Sequence, residues 1–447
     1  MLGLFLTGMK VATVSINNNT KKLFMAHNNS LTKKFLLAAK YEEIHALEQL
    51  QKSCYNLIKL GQFVHQLQKE RAMSNIYLAS NRTLFAQQLQ QQIKHSDILQ
   101  HALFESLAQT YLCTKPGVGN SRLYNLITIS LQSLDTLHSL RDKVAKQALS
   151  ASQSTQSFTQ IITSLLNVFL ETADGASDPV ITRILVAYFN FIQGKEYAGQ
   201  ERAYGAMAFA SNKFDAEQKA LLSHFQQNQQ TSFDFFRQYA DEQLTLSYKL
   251  LLQDESSQEI EKLRTMLHQL DPSKNQELSQ LSEVWFDIAT ARIDIMHQIE
   301  QQISKRLISA AKERIVEAKQ SLDTHQGTLA ILTKDSPDFS VLTTATLLSA
   351  ELNGFANTNV AAQKLAANKT MYDLIAEQSQ HIKQINNALS EARKVINEQK
   401  TINQAKFILI EQLKLTEAQA HKKLQKQAMD NHVSLHQVAE QIITLVD

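Results

Sequence analysis

Two arginines fall where a helical bundle ordinarily places aliphatic residues. Stepping by three and four from Leu47, the series Leu47, Leu50, Cys54, Leu57, Gly61 and Val64 continues onto Gln68, Arg71, Asn75 and Leu78. A second series runs through Ile184, Tyr188, Phe191, Lys195, Ala198, Arg202, Gly205 and Phe209. That spacing traces the buried face of a helix, so Arg71 and Arg202 are expected inside the protein. A buried guanidinium stays charged and is costly unless something compensates it. A carboxylate can do so, and Glu70, Glu196 and Glu201 lie close in sequence. A small planar oxyanion can do so too, because it accepts two parallel bonds from each guanidinium fork and two or three forks can cage it. Spacing alone favours the carboxylates.

A different cationic group lies near the end of the chain. Lys406, Lys422, Lys423 and Lys426 could meet phosphates, and Lys422 and Lys426 are one turn apart on one face. Residues 400–447 hold six Lys against five acidic groups, a balance of only +1, so charge alone describes a solvated helix face. No aromatic platform for stacking single-stranded bases stands out.

Other chemistry is thinly represented. No P-loop, dinucleotide fingerprint, nucleophile elbow or metal-ligand spacing of Cys and His appears, and no acid–base pair stands out. The chain is therefore expected to be neither an enzyme nor dependent on a metal or cofactor. The net charge of +2 announces no partner. Cys54 and Cys113 lie in apolar helical patterns and read as small core residues of a reducing cytosol. The apolar opening segment is short and interrupted by Lys10, and nothing approaches the ~20 apolar residues of a membrane span. A cytoplasmic location with no membrane partner is expected.

The elements that must position these residues are helices. Only 4 prolines and 11 glycines occur in 447 residues, and 43% of the chain is hydrophobic, which together predict an all-α protein of two or three domains. Residues 1–30 read as a loose, Asn-rich lead, with a long helix from about Leu36. Breaks are expected at Pro116-Gly117, Gly119-Asn120 and Asp271-Pro272, and Asp178-Pro179 reads as a helix start. Small residues around Arg202 (Ala198, Gly199, Ala203, Gly205, Ala206) would let a neighbouring helix approach closely. Residues 326–370 read as a connector. Ile375, Ile382, Ile385, Leu389, Ala392 and Ile396 then form a heptad-like seam, compatible with packing inside one chain or with a homodimer. The C-terminal fifty residues fit three short helices. Ile402, Ala405, Leu409 and Leu413 line the first; Ala420, Leu424 and Ala428 the second; Leu435, Val438, Ile442 and Leu445 the third. The last two open on Thr416/Gln419 and Ser434/Gln437, each with the form of a capping box.

This C-terminal stretch resembles the ANTAR module, the RNA-binding output domain of bacterial transcription antiterminators. The likeness rests on I-x-Q-A-K at residues 402–406, Leu409, Leu415-Thr416-Glu417-Ala418 with Ala420, Leu424, Ala428-Met429, and the 435–442 segment around Val438-Ala439. Phe407 stands where the family usually has glycine, and Lys400 and Gln425 where it has arginine. Upstream, Gln68-Lys69-Glu70-Arg71 with Ser74, the segment from Lys195 to Ala203, and Trp285-Phe286-x-x-Ala-Thr-x-Arg-Ile-Asp ending at Asp294 resemble the NIT domain, a nitrate- and nitrite-sensing module. Here Ala72-Met73 replaces the commoner Gly-Leu.

The resemblance implies an all-helical sensor of two stacked up-and-down bundles over residues 41–325, after a lead at 1–40. A connector over 326–384 and a three-helix output domain over 385–447 complete the chain. It implies nitrate or nitrite as ligand, with Arg71 and Arg202 contacting the anion. The third arginine expected is Arg264, between Ile260 and Leu267 at seam spacing. Arg292, on the seam of Trp285, Ile288, Ile295 and Ile299, is its rival. Ser74 would donate to the anion or simply pack. The resemblance further implies that the output domain binds paired hairpins in nascent leader RNA through the four lysines and prevents terminator formation. The competing expectation, favoured by Phe407 and Gln425, is a signalling adaptor that acts through protein contacts.

Overall fold

The computed structural model describes residues 18–80, 84–113, 120–211, 216–269, 279–332, 371–413, 415 and 417–445, and every regular element among them is helical. In chain order they are α1 (Asn18–Ala79), α2 (Ala86–Leu107), which ends in one π turn (Ala108–Leu112), α3 (Ser121–Ala145), α4 (Ala151–Asp174), α5 (Pro179–Ser211), α6 (Ala216–Tyr239), α7 (Glu242–Gln253), α8 (Glu255–Gln269), α9 (Ser279–Leu332), α10 (Met371–Leu413), α11 (Glu417–Asp430) and α12 (Leu435–Thr444). No helix among the described residues is long and apolar enough to cross a membrane.

Several boundaries follow from local chemistry. Asp178 starts α5 by accepting from the backbone N–H groups of Val180 and Ile181, both at 3.0 Å, while Pro179 takes the first helical position. Asn120 caps α3 through Leu123 N, next to the expected break. The Ser434/Gln437 capping box forms as anticipated, and a second forms between Ser150 and Gln153 at the start of α4. Thr416, Pro116-Gly117, Asp271-Pro272 and residues 333–370 lie outside the described residues. Four expectations are corrected. α1 begins at Asn18 rather than near Leu36, and α9 continues through Gly327 to Leu332. Leu413 and Leu445 are exposed, at the C-terminal ends of α10 and α12. Cys113, just past the π turn, is exposed, while Cys54 is buried.

The chain divides into two compact units, Met1–Ala46 with Ile315–Ile382, and Leu47–Arg314 with Lys383–Asp447. In the first, Glu43 meets Lys40 at 2.8 Å and His381 at 3.6 Å, and Gln326 donates to the Tyr41 hydroxyl. The second holds both arginine seams and the C-terminal helices. Its largest fully buried side chain among the described residues is Trp285 on α9, which donates from Nε1 to the Arg202 carbonyl at 3.1 Å. A Cβ on Gly205 would strike the Trp285 ring, which is the close approach that the small-residue stripe of α5 permits. Leu389, Ala392 and Ile396 of the heptad-like seam are buried within the single chain, whereas Ile382 is exposed. The C-terminal helices enclose their own core of Ala405, Leu409, Ala420, Leu424, Ala428, Val438 and Ala439.

Candidate anion site and its connection to the output helices

α1, α4, α5 and α9 surround a polar column, because both seams change from apolar to charged at the same level. Arg71 is 1% exposed and Arg202 3%. The Arg71 fork donates to both Glu196 oxygens, at 2.5 and 3.1 Å, and to Thr159 Oγ1 at 2.8 Å. Glu196 also accepts from Gln68 at 2.8 Å and Gln200 at 2.9 Å. The carboxylate partner weighed from the sequence is therefore present for Arg71.

Arg202 has no carboxylate within hydrogen-bonding distance among the described residues, and Asp294 and Glu196 act on it only through space. It donates to Thr290 Oγ1 at 3.0 Å and more weakly to the Gln68 carbonyl at 3.4 Å, and it lies over the Phe286 ring at 5.1 Å. Its Nε is enclosed without an acceptor. Burial, and then the nearby Arg71 charge, push its pKa down to about 10. Gly199 keeps this region open, since a Cβ there would come within 2.7 Å of Arg71 Nη2.

One level along the column, Lys195 pairs with Glu300, which also meets His297 Nδ1 at 3.1 Å. Burial works to raise the Glu300 carboxyl, but Lys195 and His297 outweigh it and hold it below the usual range. His65 stacks on His297 at 3.6 Å, and burial, then Lys195, keeps it neutral far below its ordinary pKa. The fully buried charges of the column are thus Arg71, Lys195 and Arg202 against Glu196 and Glu300, an excess of one positive charge, and the half-exposed Asp294 that acts on Arg202 is offset by Lys69. A single monovalent anion would neutralise it.

Arg264 and Arg292 belong to a second cluster, on the α5 residue next to Arg202. Glu201 accepts from Arg264 Nε at 2.7 Å and Nη2 at 2.5 Å, and from Gln229 at 2.7 Å. Glu261 takes Arg264 Nη1 at 2.5 Å. Among the described residues Arg292 donates only to Gln229 Oε1, at 3.2 Å, and its Nε has no acceptor; burial, then Arg264, bring its pKa to about 10. The structure thus groups Arg71 with Arg202, and Arg264 with its rival Arg292. Ser74 is buried on α1. Glu196, Thr159 and Thr290 complete the first cluster. From the sequence Glu196 reads only as a possible structural partner, Thr290 appears only inside the Trp285–Asp294 motif with no role, and Thr159 carries no periodic signal.

The output helices meet the sensor along α4 in antiparallel order. Arg393 Nη2 donates to the Ala176 carbonyl at 3.0 Å, and Lys400 pairs with Asp174 and with Glu171 at 2.7 Å. Asn403 meets Asn167 at 3.4 Å, and Glu417 accepts from Thr163 at 3.3 Å. On α6, His224 packs edge-on against His421 of α11, with centroids 5.0 Å apart. Lys422, Lys423 and Lys426 are exposed. Lys406, expected to be free for phosphate, is buried and pairs with Glu417 at 3.1 Å, close to the Tyr197 hydroxyl of α5. Spacing could not foresee this, because the covering surface is more than a hundred residues away in sequence.

Comparison with known proteins places these features in a family. Residues 62–308, more than half of the chain, match the family described as nitrate and nitrite sensing, and residues 390–443 match the ANTAR domain. A curated relative, the nitrate regulatory protein of Klebsiella oxytoca, is 28% identical over 389 residues, covering 87% of this chain and 88% of the relative. The solved structure of the NasR transcription antiterminator matches with a TM-score of 0.56 at 24% identity, covering 96% of this chain and 99% of that one, and so shares the all-helical fold. The chain belongs to the NIT family of nitrate- and nitrite-sensing proteins and carries an ANTAR domain at its C-terminal end.

Proposed function

We propose that this chain is a cytoplasmic regulator that binds nitrate or nitrite in its sensor, binds paired hairpins of nascent leader RNA with its ANTAR domain, and so causes transcription antitermination. The names of its relatives and the two family matches support the regulatory part. The observation that carries the ligand part is Arg202, buried, charged, without a carboxylate, and with an enclosed Nε lacking an acceptor. An anion seated beside it takes the Nε–H and an Nη–H as a bidentate pair and competes with Glu196 for Arg71. Arg264 joins as a third contact only by turning away from Glu201.

The anion opens the protein by its differential affinity for two arrangements of the output helices. In one arrangement α10 and α11 lie along α4 and α6, as here, and Lys406 is covered. In the other they are released, and Lys422, Lys423 and Lys426 are joined by Lys406 once Glu417 lets it go. The test is RNA binding by the full chain, with nitrate and with chloride at equal ionic strength. Tighter binding in nitrate supports the reading. Equal binding breaks the link between sensor and output. Complete absence of RNA binding at low salt would instead favour the adaptor, for which the exposed Phe407 would be a protein contact.

A further inference from the structure

The contact between α10 and α4 has a chemistry that simple docking does not require. Arg393 and Lys400 are seven residues apart, so they share one face of α10, roughly 10 Å apart along its axis. What they meet is the C-terminal end of α4 and the turn just past it: the carboxylates of Glu171 and Asp174 and the carbonyl of Ala176. A helix C-terminus adds its own partial negative charge. The surface offered to α10 is therefore a compact run of acceptor-only oxygens carrying two carboxylate charges, and a nucleic-acid backbone likewise offers charged, acceptor-only oxygens.

The two sides differ in what separation would leave behind. Glu171 is additionally held by Arg122 at 3.1 Å and by Asn120 Nδ2 at 3.1 Å, so it keeps partners if α10 departs. Arg393 and Lys400 are paired, among the described residues, only with the end of α4 and with Ala176 just past it, and Arg393 Nε has no acceptor even now. Lys400 is only 8% exposed in this arrangement. Release therefore exposes two cations that have lost their counter-charge, on a face that has just held anionic oxygens.

We propose that Arg393 and Lys400 are phosphate-binding residues of the output domain, and that the Glu171–Ala176 end of α4 occupies them as a mimic of the RNA backbone. This rests on the regulator reading above and extends it: sensor and RNA compete for the same two side chains. Phosphate contacts fix register and supply salt-dependent affinity without reading sequence, so the mimic has only to reproduce charge and spacing.

The test uses the full chain and an RNA of two tandem hairpins, with DNA duplex of equal length as a control polyanion. Binding is measured against salt in saturating nitrate for wild type, Arg393→Ala, Lys400→Ala, Lys400→Arg and, as a control, Lys249→Ala. Each alanine variant of the proposed pair should weaken binding and reduce the slope of log K against log salt by about 0.7–0.9, while Lys400→Arg and Lys249→Ala keep it. Without nitrate, Glu171→Gln with Asp174→Asn should bring RNA affinity toward the nitrate-saturated value. The nitrate-induced rise in melting temperature, measured on each variant, checks that the sensor is still folded. If Lys400→Ala and Arg393→Ala match wild type in affinity and slope, the contact is only a dock and the mimicry is wrong. A wild type that binds no RNA in nitrate at low salt brings down the regulator reading itself, an outcome the variants' slopes cannot imitate.

Discussion

Two arginine clusters stand on adjacent residues of α5, and they differ in one respect. Each has two arginines, one buried glutamate and a glutamine bridging them. In each, the glutamate holds one guanidinium bidentately, Arg71 by Glu196 and Arg264 by Glu201, and leaves the other, Arg202 or Arg292, without a carboxylate. The second cluster reaches a surface acid, Glu261, so its two positive charges meet two negative ones. In the first, the half-exposed Asp294 acts on Arg202 only through space and is itself paired with Lys69 at 3.5 Å. The comparison teaches that a buried arginine is not in itself a ligand site. What distinguishes a site is the charge left over after the protein's own acids have been assigned.

The largest expected effect comes from breaking the clamp. Arg71→Ala leaves Glu196 buried without its cation and should cost roughly 3–5 kcal/mol of stability in chloride, read by chemical denaturation. Arg202→Met should behave oppositely. It removes the uncompensated charge, so stability in chloride should be unchanged or higher, while the response to nitrate disappears. In the wild type that response should reach roughly 2.7 kcal/mol at a hundredfold excess of nitrate over Kd, measured as melting in nitrate against chloride at equal ionic strength. An identical melting temperature in the two salts would remove the anion site, and a strongly destabilised Arg202→Met would show that Arg202 is compensated in a way the geometry does not reveal.

The second cluster supplies a smaller effect. Arg264→Lys keeps the charge but loses the fork that Glu201 and Glu261 share. It should reduce the nitrate response without abolishing it, if Arg264 turns into the first site when the anion enters. A nitrate response equal to that of the wild type would confine Arg264 to structure and make the two clusters independent. Arg292→Met in parallel asks whether the rival does the same.

Much of this was legible in the sequence, for reasons that particular residues make plain. The α1 and α5 seams could be followed residue by residue because helical periodicity is strict and both helices are long, so Arg71 and Arg202 could be named as buried. The caps at Asp178 and Ser434 were legible because capping depends on residues within one turn. The partners were not. Glu196 lies 125 residues from Arg71 and Asp174 lies 226 from Lys400, and nothing local says which acid will face which base. For the same reason Lys406 read as a surface cation, although Glu417 and the Tyr197 side of α5 cover it. Arg264 and Arg292 could both be placed on seams, but a seam does not say which neighbouring cluster a side chain enters.

The smallest effect concerns pH, and it isolates the contact between α6 and α11. His224 and His421 meet there with centroids 5.0 Å apart, and Asn228 donates to His224 Nε2 at 2.9 Å, so that nitrogen accepts and the ring is neutral. The charged groups facing them are Lys406 from α10 and Glu417 and Lys422 from α11, with Gln425 hydrogen-bonded to His224. Burial, then Lys406, push His224 down to about 4, and burial, then Lys406 and His224, hold His421 well below its ordinary value. Released, both rings would return toward the ordinary pKa of about 6.5. The released arrangement therefore binds more protons at low pH. The packed arrangement keeps its full advantage above about pH 6.5 and loses it as pH falls toward 4, by at most ~1.4 kcal/mol per pH unit for each histidine. RNA binding in the absence of nitrate should accordingly strengthen between pH 7.5 and 5.5, and His421→Phe should flatten that rise while leaving the nitrate response in place. A rise that survives in His421→Phe together with His224→Phe would assign the proton to another group, and no rise at all would mean that α6 and α11 do not part when RNA binds.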